Sequence, residues 1–287
     1  MKRTTTLLLS LLLTCTMGFV QAQINIPAPS PSGSVSSTVG LTNITIDYFR
    51  PGVKGRKIFG EGSDYLQPYG TLWRTGANTG TVLKLSTDAT IAGTKVPAGE
   101  YLIFTIPGAE TWRFMLYDDL SIGGNTAAYN TEHEVLNVEL APKKTSKLIE
   151  RLTFQITDIS ADNTSAMIHM AWENTALDVP VTVDFDEIVM ADIASKTHVN
   201  PNNYVAAANY YYATDRDLEQ ALEWINKGIE ADPNAFWNIH LKAQILAKMG
   251  RKEEAIAAAT TSMETAKASG NDFGYVKRNQ ELIDSLK

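Results

Sequence analysis

Two different periods run along the chain. From about residue 34 to 186, apolar residues recur at every second position. Ile44, Ile46 and Tyr48 share one face of "NITIDYF", and Leu152, Phe154 and Ile156 share one face of "RLTFQITDI". In "VPVTVDFD", Val179, Val181, Val183 and Phe185 alternate with Pro180, Thr182, Asp184 and Asp186. A period of two marks a strand with one buried face. "EYLIFTIPG" (100–108) is apolar on both faces, which predicts a central strand covered on both sides. The turn signals "PAG" (97–99) and "PGAE" (107–110) punctuate "TVLKLS", "YLIFTI" and "WRFMLY". Short strands joined by turns rather than helices predict an antiparallel β-sandwich, jelly-roll-like in layout.

Near residue 187 the period lengthens. "EIVMADIASK" predicts a linker helix, and "VNPNN" (199–203) interrupts it. Beyond it the chain aligns with itself at an offset of 34 residues, Ala221 on Ala255, Tyr212 on Leu246, Leu222 on Ile256 and Gly228 on Ser262. That period, with Pro233 closing the first unit, resembles the tetratricopeptide repeat. The small residues Ala221 and Gly228 are expected to let the second helix of a pair press on the first, with Tyr212, Ile225 and Leu246 filling the seam. "GNDFGYVKRNQELIDSLK" reads as a final capping helix. Two repeats and a cap are short for a free-standing solenoid, so the module is expected to dock on the sheet domain. The fold class is therefore a two-domain α+β chain. A β-sandwich over 34–186 is followed by a linker at 187–201 and a short tetratricopeptide-like helical module at 202–287.

The first 22 residues stand outside this scheme. "MKR" is a short cationic region, "LLLSLLLT" (7–14) an apolar stretch, and "VQA" (20–22) a small-residue cleavage site, so a mature chain is expected to begin at Gln23. The apolar stretch is too short for a stable membrane anchor, and no transmembrane segment is expected in the mature chain. "PAPSPSGS", inside a Pro/Ser linker at 23–33, is a tether to the first strand. Export to the periplasm or the medium is the expectation. Lipidation at Cys15 is disfavoured because Thr14 precedes it, where lipoprotein signals resemble one another in carrying a small residue. Cleavage removes the single cysteine, which excludes a disulfide scaffold and a thiol nucleophile.

The whole chain has 25 Lys and Arg against 32 Asp and Glu, a formal charge of −7. Loss of Lys2 and Arg3 lowers the basic count to 23 and the charge to −9. Such a chain is not a general nucleic-acid binder. Against this acidic background "RPGVKGRKIFG" (50–60) is an exception, with Arg50, Lys54, Arg56 and Lys57 among three glycines at the end of a strand. "WRTGAN" adds Trp73, Arg74 and Asn78. Arg50, Arg56, Arg74 and Asn78 form a donor set suited to carboxylate, sulfate or phosphate oxygens, and Trp73 is a platform for a sugar or aromatic ring. The competing reading is that these arginines bond backbone carbonyls, or pair with Asp47, Glu61 or Asp64, and that Trp73 is core. Lys54 and Lys57 are expected to be solvated.

"YFRPGVKGRKIFG", "PYGTLWRTGANTGT", "VPAGEYLIFTIPG" and "WENT" (172–175), in this order, resemble the exported bacterial domain-of-unknown-function family 2911 over residues 27–185. The resemblance implies the fold and an exported location, helical repeats after the sheet domain, and no established activity. In that family the residue before the arginine of "RP" is often Ser. Here it is Phe49, which excludes hydroxyl chemistry at that position.

Catalytic signals are sparse. His133, His169, His198 and His240 lack metal-ligand spacing, so no metal or other cofactor is expected. There is no G-x-S-x-G elbow, phosphate loop or dinucleotide fingerprint. "IGGNTAAYN" (122–130) reads as a plain loop. Asp118, Asp119 and Glu173 are rim carboxylates of the kind any antiparallel sheet supplies. The leading expectation is a non-catalytic exported protein with an anionic or carbohydrate small molecule held at a cationic rim site; for the helical repeats, sealing one face of the sandwich is favoured over a groove for a protein or peptide partner. A glycan hydrolase using rim carboxylates and a purely structural module are the alternatives.

Overall fold

The structure, a computed structural model, describes residues 26–196 and 200–287. The leader at 1–22, with Cys15, as well as Gln23 and His198, lies outside the described residues. The chain divides into two compact units between Val183 and Asp184.

The first unit carries β1 (Ser32–Val39), β2 (Thr42–Phe49), β3 (Phe59–Gly60), β4 (Gln67–Pro68), β5 (Thr81–Leu85), β6 (Ala89–Ile91), β7 (Thr94–Val96), β8 (Gly99–Ile106), β9 (Trp112–Tyr117), β10 (Glu134–Leu140), β11 (Lys143–Thr157) and β12 (Ser165–Thr182). One sheet has the order β1-β2-β5-β8-β9-β10 and a second the order β11-β12-β6-β7. Every pairing within them is antiparallel. The short pair β3-β4 is parallel. The alternation explains the layering. Ile44, Ile46 and Tyr48 point inward from β2, and the Tyr48 ring meets Phe154 of β11 edge-on at 5.0 Å between centroids. The two sheets therefore share one core, as a sandwich must.

Residues Tyr101 to Phe104 of β8 are all buried because this strand is covered on both faces. On the outer face Leu102 and Phe104 cluster with Met115 and Tyr117 of β9, under Ile122 and Tyr129 of the segment that follows β9. The sequence reading passed over one element between β5 and β8, the hairpin β6–β7. It turns on Ala92 (φ 47°) and Gly93 (φ 85°) and joins the opposite sheet through Val181↔Ile91. Two successive left-handed residues are what a tight hairpin requires.

The second unit is helical, with α1 (Asp186–Lys196), α2 (Pro201–Ala213), α3 (Leu218–Ala231), α4 (Phe236–Lys248), α5 (Lys252–Ala268) and α6 (Tyr275–Leu286). Asp217 caps α3 by accepting the backbone N–H groups of Glu219 and Gln220. Ala221, Ile225, Leu246 and Ala255 form the core, with Tyr212 packed at its edge. Gly228 is a close-approach position, since a Cβ there would lie 2.4 Å from Val205 Cγ2 of α2. In α5, Ser262 is buried and donates its hydroxyl to Phe236 O of α4 at 2.7 Å. Small side chains thus sit where paired helices touch. Asp186 ties α1 to its neighbours by accepting from Tyr210 Oη (2.5 Å) and Arg216. No helix among the described residues is long and apolar enough to cross a membrane.

Candidate functional site

The basic loop begins where the chain leaves one sheet for the other. After β2, Pro51 O accepts Leu152 N at 3.1 Å and Val53 N donates to Glu150 O at 2.7 Å, so "RPGV" is stitched onto β11. Arg50 reinforces that seam. Its Nε donates to Leu152 O (3.3 Å), its Nη2 to Thr153 Oγ1 (3.2 Å), and its carbonyl accepts Arg151 Nη1 (3.1 Å). Arg56 folds back on its own loop, giving Nε to Val53 O (3.1 Å) and Nη2 to Gly52 O (2.6 Å). Lys54 and Lys57 are exposed, and Lys57 Nζ stands 5.6 Å from the centre of the Tyr65 ring.

"WRTGAN" is held more rigidly. Trp73 exchanges two backbone hydrogen bonds with Thr105 of β8 (2.8 and 2.9 Å), and its indole N–H donates to Gly76 O at 3.1 Å. Thr75 (φ 52°) and Asn78 (φ 56°) both adopt left-handed backbone. For a β-branched residue this costs on the order of 1–3 kcal/mol and persists only where surroundings over-determine it. They do so here. Thr75 is fully buried, its hydroxyl lies 3.1 Å from that of Thr105, and its carbonyl accepts Thr81 Oγ1 at 2.7 Å. The strained turn holds Arg74 beside Asn78, and Arg74 Nη1 donates to Asn78 O at 2.7 Å.

These two loops border a cavity of about 530 Å³. Arg56, Arg74, Gln67 and Asn78 are its polar lining, while Trp73 (3% exposed) and Trp172 border it as core side chains, so Trp73 is not an open platform. Thr126 closes it from the "IGGNTAAYN" segment, which comes close enough for Gly124 to lie against Gly80; a Cβ on Gly124 would meet Gly80 Cα at 3.0 Å. Among the described residues no carboxylate lines the cavity, and neither Arg56 nor Arg74 is ion-paired. Asp47, a candidate partner for the arginines, is instead bonded to Lys84 at 3.2 Å. The structure therefore brings Arg56, Trp73, Arg74 and Asn78 together and leaves Arg50 outside, on the seam with β11.

Trp172 is the site residue that sequence reasoning missed. Its ring stacks on Trp73 (5.7 Å, 23° between planes), with Phe59 edge-on to both. It is 1% exposed, and Nε1 is the one buried side-chain polar atom among the described residues without a hydrogen-bond partner. A buried donor left unmet costs about 1–3 kcal/mol, so its occurrence calls for a reason. The next residue, Glu173, has φ 55° in mid-strand, where the β11–β12 register slips on either side of Ile149↔Glu173. That irregularity interrupts strand alternation at Trp172. The only sequence signal was the string "WENT" itself.

The family model described as a protein of unknown function, DUF2911, matches residues 30–181. The chain belongs to DUF2911. No curated protein and no solved structure matches it significantly. The DUF2911 match takes in both loops, all of the cavity lining and every strand but the last residue of β12; the helices lie beyond it. Other polar clusters of the DUF2911 unit stand away from the cavity. His169 Nδ1 and Lys143 Nζ contact the two oxygens of Asp178 at 2.6 and 2.7 Å, and His133 Nδ1 contacts Asp118 at 2.7 Å. Burial pushes the Asp178 carboxyl up, but its bonds to Lys143 and His169 outweigh this and hold it below the usual carboxylate range.

The helical unit has a groove of its own, about 450 Å³, lined by the carboxamides of Asn202, Asn209, Asn238 and Gln244 together with Trp237 and His240. Behind it, Asn279 donates its amide hydrogens to Ser262 Oγ and Tyr275 O, both at 2.8 Å. Its Oδ1 must then be the acceptor for His240 Nδ1–H at 2.7 Å, which leaves Nε2 as the bare nitrogen of the neutral ring.

Proposed function

We propose that the DUF2911 unit is a non-catalytic binding module that takes a small organic anion in the cavity between its two loops. The observation that carries this is two arginines on a cavity where, among the described residues, they have no ion pair and no acid lines the wall, in a protein of net charge −7. Hydrolysis of glycans would need two carboxylates flanking the bond to be cut, and the lining supplies none. The experiment is a thermal-shift screen of the full chain against carboxylates, sulfate, phosphate and neutral sugars, repeated with Arg74→Ala. Stabilisation by anions that disappears in Arg74→Ala supports the reading. Stabilisation by neutral sugars alone, or by nothing, refutes it.

For the helical unit, the carboxamides that line the groove together with an exposed Trp237 favour an extended peptide, whose backbone offers the matching donors and acceptors. A peptide-array hit that survives Trp237→Ala would count against that groove. The site of action is proposed to be outside the cytoplasm. Mass spectrometry of the mature protein tests this, with a chain starting at Gln23 expected and an acylated Cys15 as the contrary result.

A further inference from the structure

We infer, resting on the peptide reading of the helical groove above, that its ligand is an uncharged stretch within a peptide chain. His240 Nε2 accepts one backbone N–H of that stretch and so sets its register. The acceptor is fixed by the residues behind it. Asn279 spends its amide hydrogens on Ser262 Oγ and Tyr275 O, so its Oδ1 makes Nδ1 of His240 the donor and Nε2 the lone pair. Burial, with Arg278 adding to it, holds the imidazole below its ordinary value and keeps it in that neutral form.

His240 is only 9% exposed, and Nε2 meets no donor among the described residues. It is nonetheless open to solvent, because Trp172 Nε1 of the other unit is the one buried side-chain polar atom without a partner. The ring lines the groove and its Nδ1 edge is turned to α6, so the groove is where Nε2 is reached. Asn238 is alike. It is 7% exposed, its carboxamide has no partner among the described residues, and that carboxamide too is not sealed from solvent.

The spacing of the lining suits an extended chain. Asn202 and Asn209 lie seven residues apart on α2, a rise of about 10 Å, and three residues of extended peptide span about the same length. Among the described residues no Lys, Arg, Asp or Glu lines the groove. A charged side chain or chain terminus placed there would lose water and gain no counter-ion, a cost that an uncharged segment avoids. Carboxamides answer both the N–H and the C=O of a backbone, whereas Nε2 answers the N–H alone.

The test screens the full chain against an array of random hexapeptides of uncharged residues, N-acetylated and C-amidated. Matched arrays carry a free C-terminal carboxylate, or Asp or Lys at the centre. The best binder is then N-methylated one residue at a time, while long-range ¹H–¹⁵N spectra follow the imidazole nitrogens, with His240 assigned by His240→Gln. If that variant does not fold, His133→Gln, His169→Gln and His198→Gln assign the other three of the four rings. Blocked, uncharged peptides should bind tenfold or more tightly than their charged matches and move the Nε2 resonance upfield, as an accepted hydrogen bond does. N-methylation at one position should cost tenfold or more and leave Nε2 at its free shift. A preference for the charged arrays overturns the inference and leaves the peptide groove standing. So does an unmoved Nε2 with a peptide whose binding Trp237→Ala abolishes. Failure of every array to bind, or binding that Trp237→Ala leaves intact, overturns both.

Discussion

Removing Arg50 and removing Arg74 should have opposite consequences, although both arginines follow an aromatic residue and both bond a backbone carbonyl. Arg50 bridges from the end of β2 to two consecutive residues of β11. Its bonds, at 3.3 and 3.2 Å, are longer than the roughly 2.7–2.9 Å of a strong charge-assisted contact, so each contributes about 1 kcal/mol rather than the upper end of the range. Its stem also packs on Gly33, where a Cβ would come within 3.0 Å of Arg50 Cδ. Arg50→Ala should therefore cost about 2–3 kcal/mol, lowering the melting temperature of the β-unit by roughly 4–12 °C. Arg74 makes one exposed bond, to Asn78 O. Arg74→Ala should cost no more than about 1 kcal/mol and should act on ligand binding instead. Calorimetric melting of the full-length variants, each with its own baseline, measures both. Equal destabilisation by the two substitutions would show that Arg74 is a structural pin, and the division of labour argued here would fall.

Gly228→Ala should destabilise the helical unit by about 1–2 kcal/mol in chemical denaturation, because overpacking against Val205 outweighs the roughly 0.5–1 kcal/mol that alanine adds to helix propensity. Adding Val205→Ala should recover part of the loss, and a strictly additive double variant would contradict the close approach. Burial pushes the His240 imidazole below its ordinary value, and Arg278 adds to this, against the raising effect of the Asn279 bond. The unfolded chain then takes up the proton first, so stability is fully present above about pH 6.5 and falls as pH drops toward the folded-state value. Melting curves between pH 8 and 5 should show this decline in the wild-type helical unit and a flatter one in His240→Gln; identical slopes would refute it.

The sandwich was legible because burial on one face leaves a period of two, and Ile44, Ile46 and Tyr48 are buried as that period requires. The two-sided burial of β8 was legible from the opposite signal, an apolar run without alternation. The hairpin β6–β7 was not, since strands of three residues are too short to show a period, although "AG" between them is a turn signal. At the site, residue type pointed to the right loops and could not sort their members. Arg50, Arg56 and Arg74 differ in which carbonyls they meet, and backbone carbonyls carry no sequence mark. Trp172 escaped notice because its importance lies in an unmet N–H and in the irregular strand geometry at Glu173. In the helical unit, Gly228 was readable as a contact point because a glycine inside a helix costs stability unless something needs its missing side chain.

The central claim is that Arg74 serves an external anion rather than the fold. Titration calorimetry with N-acetyl-phenylalanine and 3-phenylpropionate, on the wild-type chain and on Arg74→Gln, tests it most directly. Saturable binding by the wild type that weakens at least tenfold in the variant, at a melting temperature within a few degrees, is the result expected. Binding that the variant retains in full, or a wild type that binds neither acid, would contradict it.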